Sequence, residues 1–171
     1  MNQIILYRLL FLFFLPLSLH AQDTATVKRQ AGLFAHATFK GDVAVIIAGT
    51  YPKLIELSGG KEQMQQLITE RMEELKKQGI TSFEGTVGTP GKIYKSGTQL
   101  HCLIPEQIIL KTAAGRYLAR SYLLGVSDDN GESWTFLDVG NMPADVLRRL
   151  LPNFNEELKI PAPVKPEFLA N

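Results

Sequence analysis

The stretch QLHCLIPEQIILKTAAGRYLARSYLLGVS, residues 99–127, decides the architecture. Gln99 to Lys111 and Arg116 to Ser127 are rich in branched aliphatic and aromatic residues, and Ala114-Gly115 supplies a small, flexible break between them. Two runs of strand length joined so tightly predict an antiparallel hairpin. On either side, Ile80 to Tyr94 and Ser133 to Val139 have strand composition, set off by turns at Ser96-Gly97 and Asp129-Asn130-Gly131. Pro90-Gly91 and Pro105 interrupt the first two of these strands. Proline has no backbone N–H to give a ladder, so bulges or edge positions are expected there.

Upstream the period changes from two to about 3.6. Val27, Ala31, Phe34, Ala35 and Phe39 recur at helical spacing, with Thr24 or Thr26 as N-cap and Gly41 as the stop. Asp42 then caps a short helix, Val43 to Ala48, which is apolar all round and therefore expected to be buried. Tyr51-Pro52 is expected to break it. After Gly59-Gly60 comes the clearest helix, Lys61 to Gln78, with a stripe of Met64, Leu67, Ile68, Met72 and Leu75 and a C-terminal cap at Gly79.

Downstream, Asn141 and Pro143 start a short helix with Val146, Leu147, Leu150 and Leu151 on one face. Asp145 stands near its positive end and Arg148 and Arg149 near its negative end. Pro152 ends it, and residues 153–171, with Pro161, Pro163 and Pro166, read as an extended tail. Helices followed by a meander of strands predict an α+β fold: N-terminal helices packed on one face of a curved, cone-like antiparallel sheet, then a short C-terminal helix and a Pro-rich tail. One domain, residues 22–152, is expected.

The chain begins with Arg8 as its one early basic residue, an apolar run from Leu9 to Leu19, and Ala21 just before Asp23. Those are the three parts of a secretory signal peptide, here residues 1–21, and the run is too short for a membrane span. The mature chain is then periplasmic or secreted, with no membrane anchor. Of 18 basic and 17 acidic residues, removal of Arg8 leaves equal numbers. A neutral chain of this kind lacks the basic surface that nucleic-acid binding requires. Cys102 is the sole cysteine, so no internal disulfide can form and stability rests on a core.

Three N-terminal helices, the Lys40-Gly41-Asp42 junction and the later long strands resemble the nuclear transport factor two-like superfamily, which includes the SnoaL-like and ketosteroid isomerase-like proteins. That resemblance spans roughly Asp23 to Val139. It implies a sheet wrapped around a helix to leave a conical pocket, on a fold that serves enzymes, ligand binders and adaptors alike. Its isomerase-like members use an acidic base with a tyrosine and a protonated acid. Locally, Ser127-Asp128-Asp129-Asn130-Gly131-Glu132-Ser133-Trp134 resembles the Asp-box hairpin of sialidase-type propellers. One copy cannot build a propeller, so Ser127, Asp129, Gly131 and Trp134 read as a structural turn: Gly131 for positive φ, Asp129 to bind the turn backbone, and Trp134 to bury a ring.

Conventional catalytic equipment is sparse. His36 and His101 belong to no ligand-spaced pair, and no metal or cofactor is expected. His101 and Cys102 are strand neighbours that point to opposite faces, so with Leu100, Cys102 and Ile104 facing the core, Cys102 is a packing residue and His101 points outward unless the cone curls over it. No Gly-x-Ser-x-Gly elbow or glycine-rich phosphate loop is present. Polar residues able to line a pocket are Tyr51, Glu84, Tyr94, Tyr122 and Asp138, with Cys102 beside them. The leading expectation is a non-catalytic binder of a small apolar or amphipathic molecule or of a protein partner. The alternatives are an isomerase- or hydratase-type enzyme using a carboxylate and a tyrosine, and a homodimeric module using the open sheet face.

Overall fold

The hairpin read from residues 99–127 organises the molecule. The computed structural model describes residues 19–170, with side chains from Thr24 onward. β3 (Gln99–Thr112) and β4 (Gly115–Ser127) pair antiparallel along their whole length, from Leu100 opposite Ser127 to Thr112 opposite Gly115. Each long strand carries two short ones on its outer edge. β1 (Ser82–Val87) and β2 (Ile93–Ser96) pair with β3, while β5 (Thr135–Asp138) and β6 (Glu167–Ala170) pair with β4. The result is an open, six-stranded antiparallel sheet within an α+β fold.

The two interruptions predicted from proline coincide in space. Ile80 to Tyr94, expected as one strand, is split into β1 and the start of β2 around Pro90-Gly91. Opposite that gap stands Pro105, whose carbonyl accepts from the Gly88 amide at 2.7 Å. Because the N and C=O of a strand residue point to the same side, the N–H that Pro105 lacks would have pointed into the gap. The ladder to β4 on the other side is undisturbed.

Four helices precede the sheet. α1 (Leu19–Lys40) lays Val27, Ala31 and Ala35 on the sheet, and Gly41 ends it at φ +70°. Thr24 and Thr26 lie within α1 instead of capping it, because the sequence from Leu19 to Ala25 offers no residue that stops a helix. The expected signal segment falls outside the described residues up to position 18, and α1 runs through the expected cleavage point at Ala21. α2 (Val43–Gly49) is capped by Asp42, whose Oδ1 accepts from the Val45 amide at 3.2 Å. Contrary to expectation, only Ile46 of α2 is buried, and Val45 stays 43 % exposed, since the helix is covered on one side only. Tyr51-Pro52 does more than break α2. Pro52 opens a further helix, α3 (Pro52–Leu57), at the first-turn position where its missing N–H costs nothing. α4 (Lys61–Lys77) follows, closed by Gly79 at φ +85°.

The base of the hairpin is covered on both faces. On one, Val27 and Ala31 of α1 pack with Cys102, Ile104, Leu123, Trp134 and Phe136. On the other, Leu124, Val126, Leu137 and Val139 meet α5 (Ala144–Leu150) through Leu147 and Leu150, joined by Leu151 and Leu158. Helical cover is thus not confined to one face. The segment expected as an extended tail contributes Leu158 to that second core, and its last residues form β6, where the Phe168 ring meets Tyr117 at 5.0 Å.

Candidate functional site

Past Pro105 the hairpin runs on without the cover it has at its base. α4 leans mainly on α2 and α3, so its apolar stripe stands off from the sheet. Met64 alone of that stripe is buried; Ile68, Met72 and Leu75 are half-buried and Leu67 is exposed. Between α4 and the sheet lies a cleft of about 630 Å³. Phe83, Ile108, Leu110 and Ala119 form its floor, the α4 stripe forms a wall, and Phe39 and Ile46 close the side towards α1 and α2. Phe39 can lie low over the floor because Gly85 has no side chain: a Cβ there would sit 2.5 Å from the Phe39 ring.

The polar groups of the cleft gather at its inner end. Asp138, itself exposed, lines it, and its Oδ1 accepts from Ser121 Oγ at 2.7 Å and from the Gly140 amide at 3.0 Å. Gly140 permits this approach, since a Cβ on it would collide with the Ser121 hydroxyl. Glu106 does not line the cleft but stands beside it: paired opposite Ser121, it projects from the same face. It is only 7 % exposed. Burial, with the Asp138 charge adding to it, pushes the Glu106 carboxyl up to about 7. Arg71 and Thr38 line the cleft as well, Arg71 with its Nη1 3.2 Å from Glu74.

Of the six residues expected around a pocket, only Asp138 lines this cleft. Tyr51, Tyr94 and Tyr122 belong to the core on the opposite face, where the Tyr51 hydroxyl accepts from Gln99 Nε2 at 3.2 Å. Glu84 is exposed and ion-paired with Lys111. Cys102 is fully buried under α1, and burial pushes its thiol up to about 12. His101, expected to point outward, is fully buried instead, because α5 and the chain after it cover that face. Its ring stacks on Phe154 with centroids 5.8 Å apart, and its Nδ1 has no hydrogen-bond partner. Burial, opposed by the Asp128 charge, lowers its pKa.

The turn residues do what their chemistry predicts. Ser127 Oγ accepts from the Gly131 amide at 2.9 Å, and Asp129 accepts from the Ser133 amide at 2.9 Å. Asn130 and Gly131 hold φ of +59° and +94°. Hydrogen bonds from Ser133 and Ser127 hold the Asp129 carboxyl down at about 2. Trp134, 4 % exposed, donates its Nε1–H to the Gly131 carbonyl at 3.0 Å. Gln30 of α1 ties the turn down, accepting from the Trp134 amide at 2.8 Å and donating to the Glu132 carbonyl at 2.9 Å.

Among the described residues no group of three His, Cys, Asp or Glu side chains is placed to hold a metal ion, and no helix is long and apolar enough to cross a membrane. No protein-family model, no curated protein and no solved structure matches the chain.

Glu106 is the residue that the sequence analysis missed. Its signal was available: if Leu100, Cys102 and Ile104 face the core, the alternation of a strand carries Glu106 to that same face.

Proposed function

We propose that the protein is an exported, non-catalytic binding protein that takes a small amphipathic molecule into the cleft between α4 and the tip of the β3–β4 hairpin. The observation that carries this is the cleft itself. Its volume, about 630 Å³, falls within the roughly 300–1,000 Å³ typical of small-molecule sites. Its walls are aliphatic and aromatic, with polar groups confined to one end and the rim, which is how an amphipathic ligand would be oriented. The N-terminal charge, apolar run and Ala21 support the exported part of this reading. The cone-like superfamily, whose members enclose a pocket between helices and a curved sheet, is consistent with this assignment.

An enzyme combining a carboxylate with a phenol is less well supported. Asp138 faces the cleft, whereas Tyr51, Tyr94 and Tyr122 pack on the other side of the sheet. Tyr117 shares the face of Asp138, but it lies six residues along β4 from Leu123, the partner of Asp138. At about 3.3 Å per residue that separation is roughly 20 Å.

Fluorescence titration of the mature chain with N-phenyl-1-naphthylamine tests the cleft. Wild type is expected to bind the dye, and Ala119→Phe, which places a ring on the floor, is expected to weaken binding at least about tenfold, equivalent to about 1.4 kcal/mol. Equal binding by a folded Ala119→Phe variant would move the site elsewhere.

A further inference from the structure

We infer that the ligand of this cleft is an amphiphile with a cationic amine head, held at Asp138 and Glu106 with its apolar chain lying over Ile108 and Leu110. The inference rests on the binding function proposed above and names the chemistry of the ligand.

Two carboxyl groups stand at the inner end of the cleft face: Asp138, exposed, lines the cleft, and Glu106, buried, sits beside it on the same face, opposite Ser121. Asp138 uses Oδ1 for Ser121 and for the Gly140 amide, and its Oδ2 has no partner among the described residues. Glu106 is more than nine-tenths buried, and its carboxyl has no hydrogen-bond partner among the described residues. Neither is ion-paired: the five ion pairs among the described residues are made by other acids. A buried carboxyl is ordinarily hydrogen-bonded or matched by a positive charge. Among the described residues nothing supplies either to Glu106, and the cleft opens beside it with Asp138 in its lining.

An ammonium head answers each feature. It presents three N–H donors to the Glu106 carboxyl and the Asp138 Oδ2, which lack them, and its charge is opposite to that of the acids it meets. A carboxylate head would face two acids at that end. Arg71, the basic residue among those lining the cleft, stands on the α4 side with its side chain 63 % exposed and already paired with Glu74. Exposed pairs of that kind contribute little. The apolar floor beyond Glu106 then receives the chain, Ile108 and Leu110 following it at successive alternate positions of β3.

The test is competition for bound N-phenyl-1-naphthylamine by decylamine, decanol and decanoate at pH 8, using the full mature chain. Decylamine is expected to displace the dye at about tenfold lower concentration than decanol, with decanoate weakest. Asp138→Asn and Glu106→Gln, each checked for folding by circular dichroism, are expected to shrink that advantage to about threefold or less. Decanol or decanoate competing as well as decylamine would overturn the inference, as would an undiminished amine preference in both variants. If one variant fails to fold, the other decides. Should wild type bind the dye but ignore all three competitors, the amine head falls while the cleft stands; failure to bind the dye at all removes the cleft and the inference together.

Discussion

The two halves of the β3–β4 hairpin share one uninterrupted ladder and differ in almost everything else. At the base, Cys102 and Ile104 on one face and Leu124 and Val126 on the other are fully buried, between α1 and the layer formed by α5 and Leu158. Towards the tip, Ile108, Ile109, Leu110, Leu118 and Ala119 are half-buried, and Tyr117 is exposed. Hydrogen bonding therefore extends the sheet beyond the point where a core supports it. What changes at Pro105 and Glu106 is cover, and the uncovered apolar surface becomes available to a ligand. Glu106 stands at the boundary, buried like a base residue but carrying the chemistry of a site.

If the base alone carries the stability, substitutions there should cost most. Trp134 closes the Asp129 turn and packs under α1, so Trp134→Ala is expected to lose about 3–5 kcal/mol in urea denaturation. Retention of stability to within about 1 kcal/mol would show that the turn and not the buried ring holds this end.

The next largest effect tests the boundary. Glu106 titrates at about 7 against an ordinary 4.5, chiefly through burial and secondarily through Asp138. A carboxyl raised by folding favours the folded state below pH 4.5, and that contribution is lost as the pH rises through about 7. From this group wild type should lose on the order of 3 kcal/mol between pH 4.5 and pH 8. Glu106→Gln, neutral throughout, should not. The comparison is made between variants, so the opposite trend from His101, whose lowered pKa removes stability as the pH falls, cancels between them. Identical pH dependence in the two proteins would mean that Glu106 is not buried at the end of the cleft.

The same contrast explains what the sequence made legible. The hairpin and the helices other than α3 were readable because alternation and helical spacing are local, and Gly41, Gly79 and Gly131 mark the stops and the turn that they were expected to mark. β6 was not, because Glu167 to Ala170 become a strand only by pairing with the part of β4 that β5 leaves open. The tyrosines were expected around a pocket on chemistry alone; strand register places Tyr94 and Tyr122 on the opposite face, and register is a long-range property. His101 was expected outside because nothing within Gln99 to Ser127 announces that Phe154 will stack on it. The α4 stripe was legible as apolar. That it faces an opening depends on how α2 and α3 hold the helix, which no local pattern encodes.

The smallest expected change is the one that separates stability from function. Ile104 and Ile108 occupy the same face of the same strand, four residues apart, one fully buried and one on the cleft floor. Ile104→Ala should cost about 2–5 kcal/mol, the range for deleting a core side chain. Ile108→Ala removes the same atoms from a surface that the protein leaves partly wet, so its cost should be about 1 kcal/mol or less. Its effect should appear instead in ligand binding, as weaker affinity for N-phenyl-1-naphthylamine, because the apolar contact it deletes is one the ligand completes. Equal stability losses at the two positions would mean that the tip is packed like the base; an equal lack of effect on dye binding would mean that the floor is not where the ligand lies.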